Sequence, residues 1–319
     1  MNPLKVPLSD LNAELDGDID VFLCSVSFED RCRSVADSID PCRVGHVLIA
    51  ENENHIDLHG DNAGYLQGRF SSRFDPVMLD TSKPLKTADS LEAALRKWVG
   101  DKHKRVVVDI TTFTREALLI LFRLLHDRFP QADVRYVYAR AAEFDPGAPK
   151  EEKWLSKGVE EVRSVLGYPG ELLPSRRLHL IVLVGLEHER ATELIRAYEP
   201  SMISLGYAQQ AEGDLDPDKL GFNRVSAVFG AADRFTFERH DPLHVKAVIE
   251  ERVASHKDSN VVIAPMNTKA STLGAALVAM DNPEVQLCYA QASVYNYRNY
   301  SKPGDHAYVL RLPNVPPVR

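Results

Sequence analysis

The side chains with the clearest chemistry lie in two pairs of short polar runs, each just after an apolar segment. The first pair runs from Ser25 to Arg31 (SVSFEDR) and from Gly185 to Arg190 (GLEHER). The second runs from Asp109 to Arg115 (DITTFTR) and from Ala264 to Lys269 (APMNTK). Small residues at Ser25 and Gly185, with Ser27 beside the first, would let a ligand approach the backbone, and a helix starting there would favour an anion. Hydroxyls at Thr111, Thr112, Thr114 and Thr268, with Asn267 and a cation at Arg115 or Lys269, suit a phosphate or carboxylate. Each run also has a structural explanation. Glu29, Asp30, Glu187 and Glu189 can complement the first turn of a helix while Arg31 and Arg190 stay solvated, and Thr111 or Thr112 can be an N-cap.

Catalysis would need an acid or base in these runs. Asp109 and Glu29 are the candidates, with Arg115 or Lys269 stabilising phosphate charge in a nucleotide- or nucleoside-processing hydrolase or transferase. No GxGxxG, Walker A, GxSxG or HExxH pattern occurs, so the common dinucleotide, NTPase, hydrolase and zinc-protease readings lack support. His55, Asp57, His59 and Asp61 could suggest a metal, but Asn52, Asn54 and Gly60 argue for a polar loop. No metal or cofactor is expected. Tyr289, Tyr295, Tyr297 and Tyr300 with Arg298 could stack bases or pack as a loop.

These runs must be positioned by strands and helices. Short Val-, Ile- and Leu-rich segments alternate with helical patterns, the sign of βα units and parallel sheets. Strands are predicted at 21–25, 47–50, 77–80, 105–110 and 134–139, then at 178–184, 202–205, 235–238, 260–264, 285–290 and 307–312. The two series align. VFLCSVSFEDR matches LIVLVGLEHER, VVVDITTFTREAL matches VVIAPMNTKASTL with one gap, and DVRYVYARAAEF matches EVQLCYAQASVY. Agreement extends to polar positions, which hydrophobic periodicity cannot demand. The fold class is therefore α/β, two tandem parallel-sheet units related by internal duplication. Residues 1–150 form the first, 151–177 a helical or linker segment, and 178–319 the second.

A length of 319 residues suits two domains, and a net charge of -8 gives no reason to expect duplex nucleic acid or an anionic membrane as partner. The four cysteines lack a CxxC pair and read as reduced thiols. The acidic start MNPLKVPLSDLNAELDGD and the lack of a long apolar run point to a cytoplasmic protein.

The two halves resemble the CARF domains, the CRISPR-associated Rossmann fold, and their relatives in bacterial antiviral systems. The resemblance rests on the loop after the first strand, with Ser25 and Ser27 or Gly185, and on Thr114-Arg115 and Thr268-Lys269 after the fourth. Where that family has two glycines before Thr, this chain has Thr112-Phe113 and Met266-Asn267. The resemblance implies Rossmann-like units with a nucleotide-like ligand, typically a cyclic oligonucleotide, held between two halves. The expected function is a non-catalytic sensor or regulator. Because the two halves use nearly the whole chain, a separate effector protein is expected.

Overall fold

The computed structural model describes residues 3–71, 73–149, 152–209 and 217–313. The chain forms two α/β units, one comprising residues up to Pro146 with the segment from Ser301, the other Gly147–Tyr300. The first contains β1 (Leu4–Pro7), α1 (Leu11–Glu14), β2 (Ile19–Ser25), α2 (Arg31–Asp37), β3 (Val44–Asn52), α3 (Asn62–Phe70), β4 (Phe74–Leu79), α4 (Pro84–Trp98), β5 (Arg105–Asp109), α5 (Arg115–Arg128) and β6 (Asp133–Phe144). The second contains β7 (Ser156–Ser164), β8 (Arg177–Val184), α6 (His188–Tyr198), β9 (Met202–Gln209), α7 (Pro217–Val228), β10 (Asp233–Glu238), α8 (Pro242–Ser255), β11 (Ser259–Pro265), α9 (Lys269–Asp281) and β12 (Gln286–Tyr295). The last strand, β13 (Ser301–Leu310), returns to the first unit.

The first sheet has the order β1-β13-β6-β5-β2-β3-β4, the second β10-β9-β8-β11-β12-β7. In each, five parallel strands taken in chain order lie 3-2-1-4-5, the Rossmann order, and an antiparallel strand flanks the fifth. The two units are thus Rossmann-like and repeat one another across these six strands, with β1 an addition to the first sheet. Their central strands are apolar because both faces are covered: all of β2 except Asp20 is buried, as are Leu180–Val184 of β8. Chain direction across the sheet reverses between β2 and β5 and between β8 and β11. The loops leaving these strands are the ones that carry the polar runs.

Helix starts follow from local chemistry. Thr114 caps α5 by accepting from the Ala117 N–H at 3.2 Å, and Thr268 caps α9 by accepting from the Ser271 N–H at 3.1 Å. Helix α9 is buried from Ala270 to Met280. Gly274 permits this, since a Cβ there would lie 2.6 Å from Val245 Cβ on α8.

The sequence-based boundaries need correction. Residues 156–164, assigned to a linker, form β7 and pair with β12, while the alternation at 307–312, assigned to the second unit, belongs to β13 beside β6. A flanking strand's pattern identifies a strand but not its sheet, and in β7 only Ser156 is fully buried, so no apolar period announces it. Lys150, the last residue of the predicted first unit, and Glu151, the first of the predicted linker, lie outside the described residues. Helices α3 and α7 were not anticipated either. Each carries glycine and a weak apolar pattern, in NAGYLQGRF and PDKLGFNRVSAV.

Candidate functional site

The loop after β2 folds back on itself through Arg31, the first residue of α2. Its guanidinium is 3% exposed and donates from Nε to Glu29 Oε2 at 2.9 Å, from Nε to Ser301 Oγ at 2.9 Å and from Nη1 to the Ala139 carbonyl at 3.2 Å. Ser301 Oγ donates to the same Glu29 oxygen at 2.6 Å, and the guanidinium lies over the Phe144 ring, 5.3 Å from its centroid. The loop after β8 repeats the arrangement. Arg190, 2% exposed, donates from Nη1 to Glu187 Oε1 at 2.5 Å and to Ser156 Oγ at 2.8 Å, and from Nη2 to the Ala290 carbonyl, while Ser156 donates to Glu187. Ala139 and Ala290 are the positions aligned by sequence, so the duplication reaches individual hydrogen bonds. Burial alone would lower both guanidinium pKa values, but the adjoining carboxylates, Glu29 and Glu187, reverse this and hold them above the ordinary range. The solvated alternative for Arg31 and Arg190 is thereby overturned: both are buried and committed to protein partners.

The loops after β5 and β11 are held against the first strands. Thr112 Oγ1 donates to the Ser25 carbonyl at 2.7 Å, and Asn267 Nδ2 donates to the Val184 carbonyl at 2.8 Å. Thr111 Oγ1 accepts from the Ala139 N–H at 2.9 Å, tying the turn to β6. Gly185 is required by close approach, because a Cβ would sit 2.6 Å from the Met266 carbonyl oxygen. Asp109 is 1% exposed; one of its oxygens accepts from the Thr111 N–H at 2.9 Å and Oδ2 has no hydrogen-bond partner. Burial pushes its carboxyl up to about 7 against the pull of the Thr111 hydrogen bonds. Burial likewise raises the thiols of Cys24 and Cys32, the latter to about 12, and Asp109 adds to both shifts. Arg115 and Lys269 begin α5 and α9, half-buried, at the carboxyl edges of their sheets. Ser25 is buried and Ser27 half-buried; Ser27 Oγ accepts from the Glu29 N–H at 3.3 Å and its carbonyl accepts from Asn62 at 2.7 Å.

In the second unit the loop after β8 borders a cavity of about 360 Å³. Glu187, His188 and Glu189 meet Lys153 and Trp154 from the segment before β7, Ser156 and Lys157 from β7 itself, and Arg224 from α7. The Lys157 ammonium sits 5.0 Å from the Trp154 ring centroid, and Arg224 lies 3.0 Å from His188 Nε2. Burial, with a smaller contribution from Arg224, lowers the His188 pKa. Glu152 lines the cavity as well, and Glu187 is paired with Arg190. The predicted residues Asn267, Thr268 and Lys269 are not among the lining residues.

A second cavity, about 460 Å³, lies at the opposite, amino edge of the second sheet, where His179, Ser204 and Asp233 line one wall. Ser204 Oγ is 2.8 Å from His179 Nε2 and donates to Asp233 at 3.3 Å. The serine therefore stands between histidine and carboxylate, which is not the order of a nucleophilic relay. Burial lowers His179 to about 4, so it is neutral at pH 7. Among the described residues no His, Cys, Asp and Glu cluster could hold a metal, including the His55–Asp61 segment, which forms 3-10 turns and loop. No helix among them is long and apolar enough to cross a membrane.

Sequence reasoning missed Ser156, Ser301, Trp154, Lys157 and Arg224. One signal was present: Ser156-Lys157-Gly158 and Ser301-Lys302-Pro303-Gly304 extend the repeat past its last aligned block. Comparisons give no family. No family model matches the chain, and no curated protein does. Among solved structures, the cytoplasmic domain of a prokaryotic cation chloride cotransporter aligns over 88% of this chain and 99% of its own, with 10% identity and a TM-score of 0.24.

Proposed function

We propose that the protein is a non-catalytic sensor or regulator that takes a nucleotide-like anion in the carboxyl-edge cavity of its second unit. The observation that carries this is the meeting of Trp154, Lys153, Lys157, His188 and Arg224 around one cavity. It lies at the sheet edge where open α/β folds bind ligands. An indole supplies a stacking face for a base, and the cations supply charge for a phosphate. The resemblance to CARF-type sensors of antiviral defence is in keeping with the same ligand class and with a separate effector protein. Arg31 and Arg190 act in this reading as positioning residues. Thr114 and Thr268 serve as caps, with Arg115 and Lys269 offering charge near the helix starts.

Calorimetric titration with adenosine 5′-monophosphate and with the linear dinucleotide pApA tests the reading. Trp154→Ala and Lys157→Ala should each weaken binding roughly tenfold or more, with melting temperatures nearly unchanged. Absence of binding by the unaltered protein at millimolar ligand would refute it. Losses confined to Arg115→Ala or Lys269→Ala would move the site to the turns after β5 and β11.

A second reading, a nucleotide- or nucleoside-processing hydrolase or transferase, is favoured by one observation, the Asp109 carboxyl raised to about 7. Incubation with nucleotides followed by chromatography decides it. Product that vanishes in Asp109→Ala would establish the enzyme.

A further inference from the structure

The antiparallel flanking strands are exchanged between the repeats. In sequence β7 follows β6 and β13 follows β12, yet β7 pairs with β12 and β13 pairs with β6. Each enters through a Ser-Lys pair, and each serine falls opposite the last residue of its neighbour, Ser156 opposite Tyr295 and Ser301 opposite Phe144. At that register the hydroxyl is gripped by the Glu–Arg pair of the receiving unit. The two clusters are therefore latches on the first residue of a strand donated by the other repeat.

Both connecting segments pass one buried side chain, Asn296. Its N–H donates to the Leu155 carbonyl at 2.9 Å, and its Nδ2 donates to the carbonyls of Trp154 at 3.1 Å and Asn299 at 3.3 Å. Leu155 leads directly into Ser156, and Asn299 is two residues from Ser301. Trp154, Ser156, Lys157 and Glu187 also line the carboxyl-edge cavity.

We propose that Asn296 couples this cavity to the seating of β13 in the first unit. An anion drawing on Ser156 and Lys157 competes with Glu187 for the latch and loosens the start of β7. Asn296 passes the displacement to residues 299–301, and Ser301 leaves Glu29 and Arg31. The two-state element is the seated or unseated entrance of β13, ahead of the stretch that pairs with β1, which is what a coupling claim requires. The ligand as trigger rests on the function proposed above; the coupling of the two latches does not.

Hydrogen exchange on the full chain tests the coupling without ligand. Ser156→Ala should speed amide exchange across 299–306 about three- to tenfold, and should add nothing in an Asn296→Ala background. Acceleration confined to 156–164 would overturn the proposal. Glu187→Gln should give a larger effect of the same pattern, and if it fails to fold, Ser156→Ala decides alone. Saturating adenosine 5′-monophosphate should reproduce the change at 299–306 in the unaltered protein. Calorimetric binding with no change there overturns the ligand as trigger of the coupling. If nothing binds while Ser156→Ala still accelerates 299–306, the coupling stands and the ligand reading fails.

Discussion

Asp109 and the two arginines show how burial decides what a side chain can do. Asp109 keeps its proton in the folded protein up to about pH 7, whereas in the unfolded chain it ionises near the ordinary aspartate value of 3.8. Between those values the native state binds the extra proton, so its contribution to stability falls as pH rises and stays lost above pH 7. Asp109→Asn removes that ionisation and keeps an oxygen for the Thr111 N–H. We predict a variant more stable at pH 8 by on the order of 3 kcal/mol, with the gap closing toward pH 4, read from denaturant melts across pH. The latches respond differently to their two components. Glu29→Ala strands the buried Arg31 charge and should cost about 3–5 kcal/mol. Ser301→Ala removes one hydroxyl and should cost about 1 kcal/mol in the same melts.

At the scale of elements, the crossing of loops over the sheet edge depends on Gly185. Its missing Cβ lets the Met266 carbonyl approach, so Gly185→Ala must push the β8 and β11 loops apart. We predict a loss of about 1–3 kcal/mol and faster exchange in α6, measurable by melts and by hydrogen exchange. The parallel strands were legible because buried strands are written in Val, Ile and Leu, as in VVVD and VVIA. The repeat was legible because Thr-Arg and Thr-Lys recur after the fourth strand. The partners of Arg31 and Arg190 were not. Ser301 lies 270 residues from Arg31, and no local pattern can announce a bond across that separation. Nor could spacing separate Thr114 as a helix cap from Thr114 as a ligand contact, since both use the same oxygen. The cavity escaped notice because Trp154 and Lys157 sit in a stretch whose charge reads as linker.

At the scale of the whole molecule, the exchanged strands make the end of the chain part of its beginning. Because β13 fills a place in the first sheet between β1 and β6, removing the residues from 301 onward should unravel the first unit rather than trim a tail. We expect such a chain to expose β6, to aggregate, and to lose exchange protection in β1, β6 and α2, while β8, β9 and β11 stay protected. Protection retained throughout the first unit would show that β13 is dispensable.

The same arrangement sets the order in which the protein can be finished as it is made. The first sheet is synthesised through Phe144 and then waits with the outer edge of β6 uncovered, while the second unit has all its strands once Tyr295 has emerged. At about 5–20 residues per second, β13 follows roughly ten to thirty seconds behind β6. The half of the protein that is translated first is therefore completed last, and during that interval an open parallel sheet must be kept from pairing with the nascent chain next to it.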